Sequence, residues 1–175
     1  MPTVDETRHP TVRPVILSPG SGRAIPLGDA GVVTLKVEHR QTGGAISAYE
    51  YTAAAETAGP PEHLHRGWDE VFYVLDGEMT FLIQGTAHRA PAGSFVFVPR
   101  GVPHTFWNAG AVPARQLVVF HPGGIEDYFD AVTAVMAAGG DEAPGAAEAL
   151  MAKHDMVVSA TDRPAYGALS RPVSS

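Results

Sequence analysis

Gly59-Pro-Pro-Glu-His-Leu-His-Arg-Gly-Trp-Asp-Glu70 is the segment that decides the fold. A second segment follows beyond Gly77 and ends in Pro99-Arg-Gly-Val-Pro-His-Thr-Phe-Trp-Asn108. Both segments lie in apolar sequence that is interrupted by glycines and prolines at short intervals. This pattern predicts short strands joined by tight turns, and it places three histidines and one glutamate among those strands.

The histidines and the glutamate are spaced so that their side chains can meet. His63 and His65 are two positions apart, so on an extended strand both side chains leave the same face. Gly67 permits a bend that can return the Glu70 carboxylate to that face, while His104 comes from a later strand. Three imidazoles and one carboxylate suit a divalent transition metal ion, with Fe, Mn, Ni, Co, Cu and Zn as candidates. We therefore predict that these four residues bind one such ion.

The ligand set also indicates what kind of site this is. Four protein ligands on an octahedral ion leave two positions for water, substrate or dioxygen. A closed structural zinc site is disfavoured because such sites usually contain cysteine, and the sequence has none. We expect Asn108 to hold a turn rather than the metal. The other five histidines are interpreted as ordinary residues: His9, His39, His88, His121 and His154.

These spaced positions resemble the two motifs of the cupin superfamily, which are small β-barrel metalloproteins. The first motif is matched, with a shorter interval than usual before the first histidine, at Gly59, His63, His65, Glu70 and Gly77. The second, Gly-x5-Pro-x-Gly-x2-His-x3-Asn, is matched at Gly93, Pro99, Gly101, His104 and Asn108. The resemblance implies a mainly β fold, a double-stranded β-helix or jelly-roll barrel, that binds a metal. It also implies a homodimer.

Composition excludes several other classes of protein. Hydrophobic residues make up 45% of the 175 residues and charged residues only 18%, which favours a compact folded chain. The net charge of −7 gives no basic surface, so nucleic acid and anionic membranes are disfavoured as partners. The absence of cysteine and an acidic start without an apolar core favour a soluble, cytoplasmic protein.

Periodicity predicts where the strands and helices lie. We expect one domain over residues 1–175, with a barrel over about 15–121 that includes a short strand at Val15–Leu17. Asp76-Gly77 predicts a tight hairpin between two strands, and Gln84-Gly85 a second turn. Apolar residues then recur at helical spacing, which predicts one or two C-terminal helices over about 124–155. Extended tails are expected at both ends, the second from residue 156.

Inward-facing residues of the predicted barrel are rich in aromatic and aliphatic side chains, which suits an apolar or aromatic substrate. Each of them has the alternative of simply filling the core. Either Tyr49 or Tyr51 is expected to face inward. The residues predicted to line the substrate pocket are Tyr51, Phe72, Met79, Phe81, Phe97 and Phe106.

Three functions are compatible with such a site, because this fold serves many reactions. Phe120–Phe129 resembles the segment that follows the barrel in small cupins related to quercetin dioxygenase. That resemblance implies an oxidoreductase that acts on an aromatic or polyphenolic molecule with dioxygen. Glu70 would be the catalytic residue, either as a fixed ligand or as a proton acceptor. The alternatives are a non-redox isomerase, cyclase or lyase at the same metal, and a small-molecule-binding protein without catalysis.

Overall fold

The computed structural model describes residues 12–137 and 146–158. Eleven strands, two α-helices and two short 3-10 helices lie in these ranges. The strands are β1 (Arg23–Pro26), β2 (Gly31–Val37), β3 (Ser47–Ala53), β4 (His63–His65), β5 (Asp69–Asp76), β6 (Glu78–Ile83), β7 (Thr86–Pro91), β8 (Phe95–Val98), β9 (His104–Trp107), β10 (Ala114–His121) and β11 (Met156–Val158). The α-helices are α1 (Glu126–Ala137) and α2 (Ala146–Lys153). No described helix is long and apolar enough to cross a membrane.

The strands form two antiparallel sheets that pack face to face. One sheet has the order β1-β2-β3-β10-β5-β8, and the other has the order β11-β4-β9-β6-β7. Alternate residues of each strand point between the sheets, as the period of two requires. Phe72, Val74, Met79, Phe81 and Val118 have no exposed surface and form the centre of this core. The prediction of a mainly β fold with C-terminal helices is confirmed.

The turn at Asp76-Gly77 differs from the prediction. It does not join two paired strands, since β5 lies between β10 and β8 whereas β6 lies between β9 and β7. Gly77 adopts φ +71 and carries the chain from one sheet to the other. The paired hairpin is the next one, where Gln84 and Gly85 both have positive φ and Ile83 pairs with Thr86. A dipeptide specifies a tight reversal, but the sheet that each strand joins depends on distant partners.

Both ends of the predicted barrel also differ from expectation. Val15–Leu17 is not a strand, and the first described strand begins at Arg23. Met156–Val158, predicted as the start of an extended tail, is a strand that pairs antiparallel with β4. The second sheet is therefore completed by the last described residues of the chain. The prediction of one domain over the whole chain stays a prediction, because residues 1–11, 138–145 and 159–175 lie outside the described ranges.

A buried carboxylate attaches α1 to the first sheet. One Glu126 oxygen accepts hydrogen bonds from the His39 backbone N–H (2.6 Å) and contacts His39 Nδ1 (2.7 Å). The other accepts a hydrogen bond from the Ser47 hydroxyl (2.6 Å), which in turn accepts one from the Gly124 N–H (2.8 Å). Burial alone would raise the pKa of Glu126, but the hydrogen bonds from Ser47, the helix backbone and His39 outweigh it and lower that pKa. The carboxylate is therefore stabilised in its ionised form.

We expect Glu126→Gln to reduce the free energy of unfolding at pH 7 by about 1–3 kcal/mol, since a charge-assisted hydrogen-bond acceptor is lost. A lowered folded-state pKa contributes stability above the unfolded-state pKa, and that contribution disappears as the pH falls through the folded-state pKa. The difference between the variant and the wild type should therefore shrink in acid. Urea unfolding at pH 7 and pH 3 measures it. Asp127→Asn, at an exposed neighbour in the same helical turn, is the matched control. An equal loss for both variants would contradict this role of Glu126.

Candidate metal centre and cavity

Two of the predicted ligands lie on the short strand β4. His63 and His65 are both buried, and their ring centroids are 4.9 Å apart. The strand is held on one side by β9, where His63 pairs with His104, and on the other by β11. Because His63 and His65 are two residues apart on this strand, both rings lie on its inner face.

The other two ligands come from β5 and β9. Glu70 is the second residue of β5, and the bend that precedes it is held by Asp155, whose carboxylate accepts the Gly67 N–H (2.7 Å). Glu70 Oε2 lies 2.9 Å from His104 Nε2 and 3.3 Å from His65 Nε2. His63, His65, Glu70 and His104 each offer one potential ligand atom, and the four atoms all lie within 4.8 Å of one another. The structure thus brings together the four residues that the spacing indicated.

Hydrogen bonds to the backbone orient two of the rings. His63 Nδ1 lies 2.8 Å from the Pro61 carbonyl oxygen, and His104 Nδ1 lies 2.9 Å from that of Val102. A carbonyl oxygen can only accept, so each Nδ1 carries a hydrogen and each Nε2 is left to face the centre of the cluster. Such backbone partners are the usual means of fixing the tautomer of a metal-binding histidine.

His65 supplies an independent test of whether a metal fits. Its Nε2 is near Glu70, but without the geometry of a hydrogen bond, and neither ring nitrogen has a hydrogen-bond partner among the described residues. A buried polar atom without a partner is costly, at about 1–3 kcal/mol. A metal ion at the centre of the four residues would give His65 the partner that it lacks. The four residues therefore fit a divalent transition metal ion.

The pKa shifts of Glu70 and His63 favour the forms that bind a metal, whereas His104 would have to give up the proton that its raised pKa favours. Burial opposes the charge of Glu70, but the His104 ring, which is hydrogen-bonded to it, and the nearby His65 ring outweigh burial and lower its pKa to about 2. Burial, together with the neighbouring His104 and His65, lowers the pKa of His63 to about 3. Burial would also lower the pKa of His104, but Glu70 raises it overall. An ionised carboxylate and a neutral imidazole are the forms that bind a metal.

The remaining motif residues shape the backbone around the ligands. A Cβ atom on Gly59 would lie only 1.4 Å from the Phe106 carbonyl oxygen, so the chain at this point can approach β9 only as glycine. Asn108 donates hydrogen bonds to the carbonyls of Ala54 (2.9 Å) and Val112 (2.8 Å). The prediction that Asn108 holds a turn is confirmed.

Of the histidines interpreted as ordinary, three need comment. His39 binds Glu126 as described above, and the His154 ring packs against Tyr128 at a centroid distance of 5.9 Å. His9 lies outside the described residues.

A cavity of about 530 Å³ opens beside the ligand cluster. His63, His65 and Glu70 line it, together with a wall of apolar and aromatic side chains. Apart from the metal cluster, its side chains are mostly aromatic or aliphatic, as in sites for apolar small molecules. The aromatic residues of the wall are Tyr49, Tyr51, Phe106, Phe120, Tyr128 and Phe129.

The predicted pocket residues have different positions in the structure. Tyr51 and Phe106 line the cavity. Phe72, Met79 and Phe81 are fully buried in the core and are not among the residues of its wall. Phe97 was wrong as a pocket residue: it is 53% exposed, because in β8 it is Val96 and Val98 that lie on the more buried face. A substrate role for Tyr51 and Phe106 stays a prediction.

Much of the cavity wall comes from the C-terminal segment, whose sequence had left open whether its helices cover the outside of the barrel or one of its mouths. The cavity is lined by residues of α1, of α2 and of β11, and by the residue that precedes α1. These residues include Ile125, Tyr128, Phe129, Val132, Met151 and Met156. Their helical spacing indicated a buried face, but it carried no information on which part of the barrel that face would cover.

The two antiparallel sheets, with helices near the C-terminus, form a β-sandwich of the cupin type. Residues 50–120 match the family model of the cupin domain. Together these findings support the cupin superfamily for this chain. The matched residues include all four members of the cluster. His63, His65 and Glu70 lie on β4 and β5, and His104 lies on β9.

The proteins similar to this chain include two curated proteins and a solved structure. Germin-like protein 1 of Brassica napus is 29% identical over 127 residues, which are 64% of this chain and 61% of the relative. The tetracenomycin polyketide synthase protein TcmJ of Streptomyces glaucescens is 27% identical over 96 residues, 48% of this chain and 64% of the relative. The matches thus span less than two thirds of either relative's length. The polyketide cyclase RemF of Streptomyces resistomycificus superposes with a TM-score of 0.53 at 23% identity, over 61% of this chain and 78% of RemF, and so shares the fold.

Proposed function

We propose that this chain is a metal-dependent enzyme that moves a proton next to a carbonyl group of a small aromatic, polyketide-like substrate. Such a step begins an isomerisation, a cyclisation or an elimination without net oxidation. The observation that carries the proposal is the position of Glu70: an ionised carboxylate, buried with three imidazoles, that lines an otherwise apolar cavity.

The residues of the cluster have distinct roles in this proposal. His63, His65 and His104 would hold the ion with Glu70, and a bound divalent ion would supply Lewis acidity that polarises the substrate carbonyl. Glu70 would accept the proton from the neighbouring carbon, while the C–H electron pair forms a carbon–carbon double bond and the C=O π electrons move onto the carbonyl oxygen. The same carboxylic acid would return the proton at another carbon. The apolar wall would exclude water from the reacting atoms.

The substrate class is inferred from the wall and from one relative. Aromatic rings such as Phe106, Phe120 and Phe129 suit a flat aromatic ligand, which they can contact face to face or edge to face. The cavity volume of about 530 Å³ is in the usual range for small-molecule sites. The similarity to a polyketide synthase protein supports an aromatic polyketide or a related polyphenol as the substrate class.

Oxidation by dioxygen is the second candidate. Three imidazoles and one carboxylate leave two positions on an octahedral ion, which is enough for a substrate oxygen and dioxygen side by side. The dioxygenase predicted from the sequence would use the same cavity and the same aromatic substrates. A redox-active ion such as iron or copper would be required, whereas zinc would serve proton transfer.

An exchange assay separates the two candidates. Zinc-loaded protein is incubated under nitrogen in deuterium oxide with 2-acetonaphthone, and deuterium in the methyl group is followed by mass spectrometry. We expect incorporation well above that of buffer, and at least about tenfold less in Glu70→Gln at equal metal content. Wild-type incorporation at the buffer rate would contradict the proposal. Oxygen consumption with flavonols in air, by iron- or copper-loaded protein, would then favour the dioxygenase.

We also propose a homodimer that buries the outer face of β5 and β8. Tyr73, Phe95 and Phe97 are 42%, 65% and 53% exposed there, and Tyr73 pairs with Phe95 across the two strands. β8 is an edge strand of its sheet, and exposed aromatic residues on an edge are typical of a contact surface. Since each chain carries a net charge of −7, two copies would meet most easily at an uncharged face such as this one.

Light scattering on the full chain tests the dimer. The expected mass is twice the 18.4 kDa of one chain, and Phe97→Asp should reduce it to that of a monomer. Ile16→Asp, which places the same charge at an apolar residue exposed elsewhere, should leave the dimer intact. A wild-type monomer, or a dimer that only the Ile16 variant disrupts, would contradict this interface.

A further inference from the structure

Tyr49 is a buried residue of the cavity wall whose hydroxyl group has no assigned partner. It lies on β3, is only 5% exposed and lines the cavity. Its hydroxyl forms no hydrogen bond with any residue that the structure describes, whereas the Tyr51 hydroxyl two positions away donates to the Ala30 carbonyl (2.8 Å). A hydroxyl on a cavity wall that has no protein partner can form its hydrogen bond with a polar atom of a ligand.

The ring of Tyr49 is fixed in position close to the metal cluster. It stacks on Phe120 at a centroid distance of 6.1 Å and meets the edge of Phe129 at 5.2 Å. Phe120 also contacts the ring of His65, at 5.4 Å. Tyr49 and the ligand His65 therefore flank the same phenylalanine, and a flat ligand in the cavity could reach both.

We propose that the Tyr49 hydroxyl donates a hydrogen bond to an oxygen substituent of the bound aromatic substrate and so selects oxygenated ligands over hydrocarbons. This deepens the proposed function, on which it rests for the substrate class. Tyr49 would fix the orientation of the ring system, and with it the carbon presented to Glu70.

Electrostatics keep this hydroxyl a donor. Burial raises the pKa of Tyr49 well above its usual value, and the negative charge of Glu70 raises it further. The raised pKa favours the protonated phenol, which can donate a hydrogen bond to a carbonyl, hydroxyl or carboxylate oxygen.

A pair of nearly isosteric ligands tests the proposal. 2-Acetonaphthone and 2-ethylnaphthalene differ by a carbonyl in place of a methylene group, and their dissociation constants are measured by fluorescence titration of the full chain, with zinc and without added metal. Tyr49→Phe should weaken ketone binding about tenfold, which corresponds to one net hydrogen bond, and change hydrocarbon binding by less than about twofold. The effect should appear in both metal states.

Tyr73→Phe is the matched control, because it removes the same hydroxyl from an exposed tyrosine of β5 that does not line the cavity. It should leave the ratio of the two dissociation constants unchanged. An unchanged ratio in Tyr49→Phe, an equal loss for both ligands, or no binding of the ketone to the wild type would each overturn the role of Tyr49. The ratio does not depend on turnover, so a failed exchange assay with an intact ratio would reject the proposed reaction and leave Tyr49 as a binding residue.

Discussion

Replacing His65 with alanine is expected to lower the affinity for zinc by about 100-fold or more. Loss of a residue that only supports a ligand typically costs 10–100-fold, so removal of a ligand should cost at least the upper part of that range. His65 is the most informative of the four, since neither of its ring nitrogens has another hydrogen-bond partner among the described residues. Competition with a chelating dye, read by absorbance, gives the dissociation constant.

The same change should appear in thermal unfolding. At a zinc concentration 100 times the wild-type dissociation constant, the free energy of unfolding of the wild type should rise by about 2.7 kcal/mol. In a variant that binds zinc 100-fold more weakly, the same concentration should raise it by only about 0.4 kcal/mol. His88→Ala, at an exposed histidine on β7, should behave as the wild type does. Equal zinc affinity in the His65 variant and the wild type would show that this cluster is not where the metal binds.

Gly59→Ala is expected to destabilise the fold by about 4 kcal/mol or more. The added Cβ would lie 1.4 Å from the carbonyl oxygen of Phe106, which belongs to β9 and cannot rotate away as a side chain could. Either the 59–61 segment or β9 must move, and both are next to ligands: Pro61 accepts the hydrogen bond of His63, and β9 carries His104. The variant should lose metal affinity as well as stability. Urea unfolding and the dye competition measure the two effects.

Gly93→Ala is the matched control for this prediction. Gly93 has φ +91, and nothing lies within 4 Å of a Cβ placed there, so alanine meets backbone strain but no clash. The expected cost is about 1–2 kcal/mol with unchanged metal affinity. Equal destabilisation of the two variants would mean that the close approach of Gly59 to β9 has no special importance.

The sequence was most informative where local spacing decides geometry. The two histidines of β4 share a face because the period of a strand is two, and this holds whatever the rest of the chain does. Glycine at position 67 left room for the bend before Glu70. In each case the relation is between residues close in sequence, so it could be predicted from the residue types alone.

Partners distant in sequence could not be predicted in the same way. Met156–Val158 was expected to be a tail, yet it pairs with β4, some ninety residues earlier, because that strand had a free edge to cover. Phe97 is as apolar as the core phenylalanines and alternates with valines, so pattern alone did not decide which face of β8 is buried. The strand pairing, with Phe97 opposite Val71 and Val98 opposite Glu70, decides it.

The cavity wall also depends on contacts between segments that are distant in sequence, and these could not be predicted. Its metal-binding residues followed from the motifs, but its opposite wall is built by α1, α2 and β11. The orientation of α1 depends on Glu126 reaching His39 and Ser47, contacts between residues about eighty positions apart. No periodicity in either segment indicates that contact.

The central claim is that four side chains from three strands bind one divalent ion, and anomalous X-ray scattering tests it most directly. Crystals grown with zinc would be measured on both sides of the zinc absorption edge. We expect one strong anomalous peak at roughly 2.0–2.2 Å from the Nε2 atoms of His63, His65 and His104 and from a carboxylate oxygen of Glu70. A zinc-containing crystal with its peak elsewhere, or with no peak between these four residues, would contradict it.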